Sequence, residues 1–486
     1  MPEPTDSTES DIGLVRMWRI SLIASLLIYA FLQVLWITVT PLSQVEIAGR
    51  LPDGRSATML VGTGPDETEH YLYILSIAET GRIPRPNPAM RRSPADFISH
   101  EAQHPPLYYL CAAAIRNLVQ PMGDVAVWYT LRAVGAVLGA IAIWLISRAA
   151  LIAFPNRPLI AVATPPVLAM LPMYDYMTSE LSNFPLELVF TSCGWLILVT
   201  VIRGRRPLNL ESGVLLALWF GLAAMTRQTS SMWMPAVAIV LFYVIKQAKS
   251  ANRGQALAGL AAFALVYAAF ALPWYVYMKD SYGAFLFRSD FRPMLAHISL
   301  GAYLANSTQP LVVPNMPHAV HCSALDTVLW YVTTGWIPYW IAQFGIPAWF
   351  GTPEAFQSIF LIIDGAVLLL LFRHWSVNRH SDTPERDPAG QVLLWACACS
   401  IAVTVLLVLQ QQFLVDIEMF LYYGRYGLSV VAASSLLLLF ALSTLTGRST
   451  RGVVAGAVVV ALVMLLFNGW TYSLIHGFYL SQSTHP

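Results

Sequence analysis

Charge is the scarcest thing in this chain. Only 11% of its 486 residues are Asp, Glu, Lys or Arg, against roughly 25% in soluble domains. Hydrophobic residues make up 57% and the mean hydropathy is +0.59, which excludes an ordinary soluble core and implies an integral membrane protein. A net charge of +1 supplies no basic field, so no nucleic-acid partner is expected. Cysteine is also sparse. Cys111, Cys193, Cys322, Cys397 and Cys399 show no metal-type spacing. Most of them sit in apolar segments, where a thiol behaves as a small hydrophobe; Cys322 alone falls in an external loop, and no disulfide framework is expected. No small-residue cleavage site follows the first apolar run, Leu14 to Val39, and that run is too long for a signal-peptide core. It reads as an uncleaved first span flanked by Arg16 and Arg19. No internal repeat, low-complexity tract or soluble module interrupts the chain, so residues 1–486 read as a single membrane-embedded domain.

What is present is a series of apolar stretches. A spanning helix needs roughly 20 mainly apolar residues. Eleven stretches qualify: about 14–40, 128–153, 158–174, 184–202, 208–225, 230–246, 255–276, 356–373, 390–411, 427–446 and 452–473. The expected fold is an all-α polytopic membrane protein with about eleven transmembrane helices. Lys and Arg fix its orientation. Arg148/Arg157, Arg203/Arg205/Arg206, Lys246/Lys249/Arg253, Arg373/Arg379/Arg386 and Arg448/Arg451 occupy alternate short loops, which the positive-inside rule places in the cytoplasm together with the N-terminus. The loops at about 41–127 and 277–355, and the short segment from Gln410 to Arg425, then face outward. Loops this long are structured when they carry function. Pro105 to Val119 predicts an amphipathic helix along the interface. Trp330, Trp336, Trp340 and Trp349 suit a membrane-hugging cap over 277–355. The stretch 374–390 reads as a flexible cytoplasmic turn.

The polar residues gather in these outer loops. Pro65-Asp66-Glu67-Thr68-Glu69-His70-Tyr71 carries three acids and a histidine, and His100, Glu101 and His104 return in the same loop. Asp66 after Pro65, with Glu69 three residues on, has the signature of a helix N-terminus. A structural capping role for Asp66 therefore competes with general-base work. If a helix begins there, Glu67, His70 and Tyr71 share a face. His100, Glu101 and His104 form either a polar wall or a divalent-cation site. Arg227 and Arg425 stand at outward span ends against the positive-inside tendency. Each is either a snorkelling side chain or a bidentate ligand for phosphate oxygens. Asp175, Glu180 and Asn183 fall in a further short outer loop, where ionisable groups are functional candidates.

The run Pro65 to His70, continuing through Ala78-Glu79-Thr80-Gly81-Arg82-Ile83-Pro84 and then His104-Pro105-Pro106-Leu107-Tyr108-Tyr109, resembles the first outer loop of GT-C superfamily membrane glycosyltransferases. It is similar to the pattern of lipid A aminoarabinose transferases and protein mannosyltransferase-like enzymes. Pro273-Trp274-Tyr275, Trp336 to Trp349 and Gly424-Arg425-Tyr426 are weaker echoes further along. Many relatives carry lysine where His104 stands, so a cation at this position depends on protonation. The resemblance implies a polyprenyl-phosphate-linked sugar as donor, a lipid, glycan or protein as acceptor, and inversion at the anomeric carbon. It places the catalytic base at Asp66, with Glu67 the competing acid. His70, His100, Glu101, His104, Asp175, Glu180, Arg227 and Arg425 become the candidate substrate contacts. The resemblance names no cofactor; a divalent metal ion stays open from the residues His100, Glu101 and His104 alone. The expected location is the outer face of the cytoplasmic membrane. Two other readings stay open: a transporter or flippase for a lipid-linked substrate, and a non-catalytic subunit of an envelope assembly. The missing repeat speaks against the transporter.

The topology has a direct check. Single cysteines at Arg55 and Asn209 are expected to label from opposite sides of the membrane, Arg55 from outside. Equal labelling of both from outside overturns the orientation.

Overall fold

The computed structural model describes residues 9–47, 57–64, 66–84, 102–282, 366, 369–372, 387–414, 429–446 and 449–483. The candidate cap at 277–355, most of the span at 356–373, and Cys322 lie outside the described residues beyond 282. Helix α1 is Glu9–Val39, α2 Glu67–Thr80, α3 Leu107–Val119, α4 Asp124–Ala153, α5 Pro158–Ala169, α6 Pro172–Ser179 and α7 Phe184–Ile202. Helix α8 is Leu210–Ala224, α9 Met234–Gln247, α10 Ser250–Tyr282, α11 Pro388–Leu414, α12 Val431–Thr446 and α13 Thr450–Ser483. Among the described residues six helices are long and apolar enough to cross a membrane, or seven if the bent pair α5–α6 counts as one span. Shorter apolar helices stand at Leu210–Ala224, Pro388–Thr404 and Val431–Thr446. The chain is thus a multi-pass membrane protein by helix length and composition.

Local chemistry sets the breaks. Asn209 caps α8 by accepting from Ser212 N, which satisfies one orphan N–H of the first turn. Gly81 ends α2 with φ 67° and donates to Ile77 O, a conformation that costs glycine little. Pro165 and Pro166 inside α5 and Pro172 at the start of α6 remove backbone donors, and the two helices meet at a 50° bend.

The fold differs from an all-α expectation in one place. Strands β1 (Leu42–Ile47) and β2 (Ala57–Gly62) pair antiparallel, with Leu42 opposite Gly62 and Ile47 opposite Ala57. Alternating Leu-Ser-Gln-Val-Glu-Ile before Pro52-Asp53-Gly54 is a hairpin pattern, short enough to be hidden beside long apolar runs.

Two apolar clusters organise the whole. The larger fills the bundle between α1 and α4–α13, centred on residues such as Trp36, Tyr174, Trp195, Trp233 and Phe440. The smaller sits at one end of the bundle. It joins β2 (Val61), α2 (Tyr71–Leu75, Ile77) and α3 (Tyr108, Tyr109, Ala112, Ala113) to the start of α4 (Val127, Trp128, Leu131). Trp128 locks it by donating Nε1–H to Leu60 O at 2.9 Å while its ring meets Tyr71 at 4.5 Å. Helix α3 buries Tyr108 and Tyr109 and exposes Leu110 and Leu118, the two-sided character expected of an interfacial helix.

At the opposite end lie the arginines. Arg203 grips Asp387 with two N–H groups at 2.6 and 2.8 Å and also reaches Ala153 O. It thereby ties α4, α7 and the start of α11 together, where a flexible turn was expected to end. Arg157 stacks on Phe440 at 4.4 Å and donates to Ser443. Burial raises the Asp387 carboxyl, but the Arg203 fork, the Gly390 N–H and Arg157 together lower it further, to below its ordinary 3.8. A lowered folded value means that the clamp stabilises fully above the unfolded value and is lost as pH falls through the folded one. Asp387→Asn is therefore expected to lower the thermal midpoint in detergent at pH 7, and the gap to wild type is expected to narrow as pH falls below the ordinary carboxyl value of 3.8. A gap that persists unchanged into that range refutes the assignment.

Candidate active site

Glu67 is the anchor of the site end. It opens α2, yet it points into the bundle and is fully buried against Arg132 of α4. Arg132 Nε donates to Glu67 Oε1 at 2.9 Å and Nη2 to Oε2 at 2.5 Å. Its Nη1 donates to Ile37 O and Thr40 O at the end of α1. Glu67 Oε2 also accepts from Gly64 N at 3.1 Å, and Oε1 from Leu181 N at 2.8 Å. Two donors thus meet each carboxylate oxygen, which uses the acceptor sites an ionised carboxylate offers. The pair joins α1, α2, α4 and the turn after α6.

Asp66 precedes it with φ 60° and ψ 2°, the one non-glycine positive φ among the described residues. The left-handed region suits Asp and Asn better than most residues, at a cost of order 1 kcal/mol. The expected side-chain cap does not form; the Asp66 carbonyl accepts from His70 N at 2.9 Å instead. The structural reason is Glu67. Its carboxylate is drawn inward, and the half-buried Asp66 takes the left-handed turn that precedes it.

Glu180 faces the same turn. A Cβ at Gly64 would collide with Glu180 Oε1 and lie 2.8 Å from Glu67 Oε2, so the backbone at Gly64 passes close to both acids. Tyr176 and Tyr479 adjoin Glu180: their hydroxyls are 3.5 Å apart, and Tyr479 donates to Thr63 O at 3.2 Å. Burial and the Glu180 charge push the Tyr479 hydroxyl up to about 12.

The histidines stand on the other flank. His70 Nδ1 lies 2.8 Å from Tyr109 Oη, and its ring stacks 6.3 Å from His104. Tyr73 stacks on Tyr109 at 3.8 Å and its hydroxyl reaches His104 O. This ladder fixes the His104 turn beside the residues after α8, where Gln228 Nε2 donates to Gln103 O and Leu107 N to Met225 O.

Arg227 completes the arrangement. It is 4% exposed, its guanidinium lies 3.6 Å from the Phe184 ring centre, and Nη1 donates to Asn183 Oδ1 at 2.5 Å. Its Nε donates to Thr229 Oγ1 at 2.9 Å and sits 3.7 Å from Glu187 Oε2.

Thus Asp66, Glu67, His70, His104, Glu180, Asn183 and Arg227 gather at one end of the bundle. Asp175 does not belong to an outer loop, contrary to expectation. Pro172 restarts a helix after the α5 break, and Asp175 lies inside it, fully buried, accepting from Asn468 Nδ2 at 2.5 Å and facing Gln33 Nε2 at 3.4 Å. Those donors from α13 and α1 make the interior tolerable for it. His100, Glu101 and Arg425 lie outside the described residues. Among the described residues no group of three or more His, Cys, Asp and Glu is arranged to hold a metal ion. Arg132 and Glu187 escaped the sequence reading, although a charged residue inside an apolar span is itself a signal. Tyr479 offered none.

The Glu67–Arg132 pair makes a quantitative prediction. Glu67→Gln or Arg132→Met leaves one buried charge unmatched and is expected to cost about 3–5 kcal/mol, measured as unfolding in detergent. Glu67→Leu/Arg132→Met together should recover most of that stability. Single variants as stable as wild type refute the pairing.

No family model matches the chain, and no curated protein matches it significantly. Solved structures similar to it include the oligosaccharyltransferase of Archaeoglobus fulgidus in its apo form, 12% identical, with 94% of this chain and 56% of that one covered at a TM-score of 0.45. The same enzyme tethered to an acceptor peptide containing the NVT sequon is 14% identical, with 94% and 55% covered at 0.46. Described as the archaeal oligosaccharyltransferase AglB in complex with an inhibitory peptide and a dolichol-phosphate, it is 14% identical, with 93% and 55% covered at 0.40. The chain spans about half the length of these structures.

Proposed function

We propose that the protein is a membrane glycosyltransferase of the GT-C type. It moves a sugar from a polyprenyl-phosphate donor to a lipid, glycan or protein acceptor at the outer face of the cytoplasmic membrane, with inversion. The observation that carries this reading is the contrast between two adjacent acids. Glu67 receives two donors on each oxygen and has no lone pair left for an acceptor proton. Asp66 is turned out of the capping position at the mouth of the same turn. One acid holds the loop, which supports assigning the proton transfer to the other.

The chemistry follows. Asp66 accepts the proton of the acceptor's O–H or N–H as that atom attacks the anomeric carbon. The bond from the carbon to the phosphate oxygen breaks, and its electron pair stays on the lipid phosphate. A cation stabilises that developing charge. Arg227 is the described cation at this end of the bundle that suits the role, with His104 beside it when protonated. Arg425 is the second cation that the sequence motif nominates. Glu180 and His70 line the approach, and the apolar helices beneath accept the lipid tail.

Asp66→Asn tests the base. Asparagine tolerates the left-handed backbone and has nearly the same shape, but it cannot take the proton. Turnover is expected to fall by roughly 10²–10⁴-fold while donor binding and thermal stability hold. Turnover within about tenfold of wild type, below the range for losing a general base, overturns the assignment.

A further inference from the structure

Glu187 has no role in the scheme above, yet it is the acid nearest the proposed phosphate ligand. It lies in the first turn of α7 and is fully buried. Its carboxylate stands 3.7 Å from Arg227 Nε, too far for a hydrogen bond but close enough to offset the charge. Thr229 holds it there, donating to Glu187 Oε1 at 3.2 Å while accepting from Arg227 Nε and from Ser429 Oγ at 2.8 Å. Arg227 donates to the neutral groups Asn183 and Thr229, and Glu187 faces it at ion-pair distance.

We infer that Glu187 is a resident counter-ion that makes the Arg227 site accept a phosphodiester and expel a phosphomonoester. This rests on the proposed role of Arg227. A polyprenyl-phosphate sugar is a diester with a single negative charge. After transfer, the lipid phosphate is a monoester whose second ionisation, near pH 6, adds another. A guanidinium whose charge a buried carboxylate already offsets attracts a second phosphate charge far more weakly than a bare guanidinium does. The second charge meets Glu187 in a site of low dielectric, where like charges repel strongly. The counter-ion therefore weakens the product relative to the substrate and drives its release. Glu187 acts through Arg227 and the ligand charge, so it is a positioning and specificity residue.

The test compares two probes at pH 8, a short-chain polyprenyl phosphate and its monomethyl ester, by competition against donor with purified full-length protein. Wild type is expected to bind the ester tighter by about ten- to a hundredfold, the size of one unscreened like-charge contact. Glu187→Gln should tighten the monophosphate by about tenfold and move the ester by less than about threefold. Glu187→Asp, which keeps the charge, should preserve the wild-type preference. A merely structural role would shift both probes together. An unchanged ratio in Glu187→Gln, or a wild type that prefers the monophosphate, overturns the inference. The wild-type comparison decides alone if Glu187→Gln does not fold. Arg227→Ala separates the two levels. Loss of both probes supports the phosphate site whatever Glu187 does, whereas unchanged binding of both removes the phosphate site and this inference with it.

Discussion

The site end of this protein depends on one buried ion pair. Arg132 sits in a helix that otherwise has little but apolar side chains around it, and an unpaired guanidinium there would be prohibitive. It is matched by Glu67 and by the last carbonyls of α1. Glu67 in turn collects the Gly64 and Leu181 N–H groups. Four separate stretches of chain are therefore held by a single carboxylate–guanidinium fork. The backbone of Asp66, the glycine at position 64 and the approach of Glu180 are consequences of that fork.

A second polar key works deeper in the bundle. Asn468 of α13 donates to Asp175 and Met170 O, and accepts from Trp36 Nε1 of α1. Gln33 adds a bond to the Asp175 carbonyl. Apolar helices sliding on apolar helices have little to fix their depth, whereas a hydrogen-bonded key does. Setting the depth of α13 also sets Tyr479, nearly three turns further on, against Thr63 and Glu180. The Asp175 network thus reaches the site through helix register.

Electrostatics divide the bundle ends. The Arg203–Asp387 and Arg157–Ser443 contacts close one end with cations. At the other, two buried cations each face an acid: Arg132 faces Glu67 and Arg227 faces Glu187. An anionic ligand entering there exchanges counter-ions and does not simply fill a bare positive hole.

Some of this was legible in the residues. Composition and apolar run length determine a multi-pass helical protein, because a bilayer admits only structures that satisfy their own backbone. The Arg pattern predicts which loops share a side, and the first outer loop announces its polar cluster by being so unlike its surroundings. Pro105 to Val119 reads as a two-faced helix and is one. The residues do not reveal which of two neighbouring acids is spent on structure, because that depends on Arg132, 65 residues away. They place Asp175 in a loop, because helix α6 is held by donors from α1 and α13. They leave Glu187 unremarked, because an acid inside a span acquires meaning only when Arg227 is folded against it. Local pattern determines elements and sidedness, which follow from short-range chemistry. Pairing among buried charges is a long-range choice, and only the tertiary structure makes it.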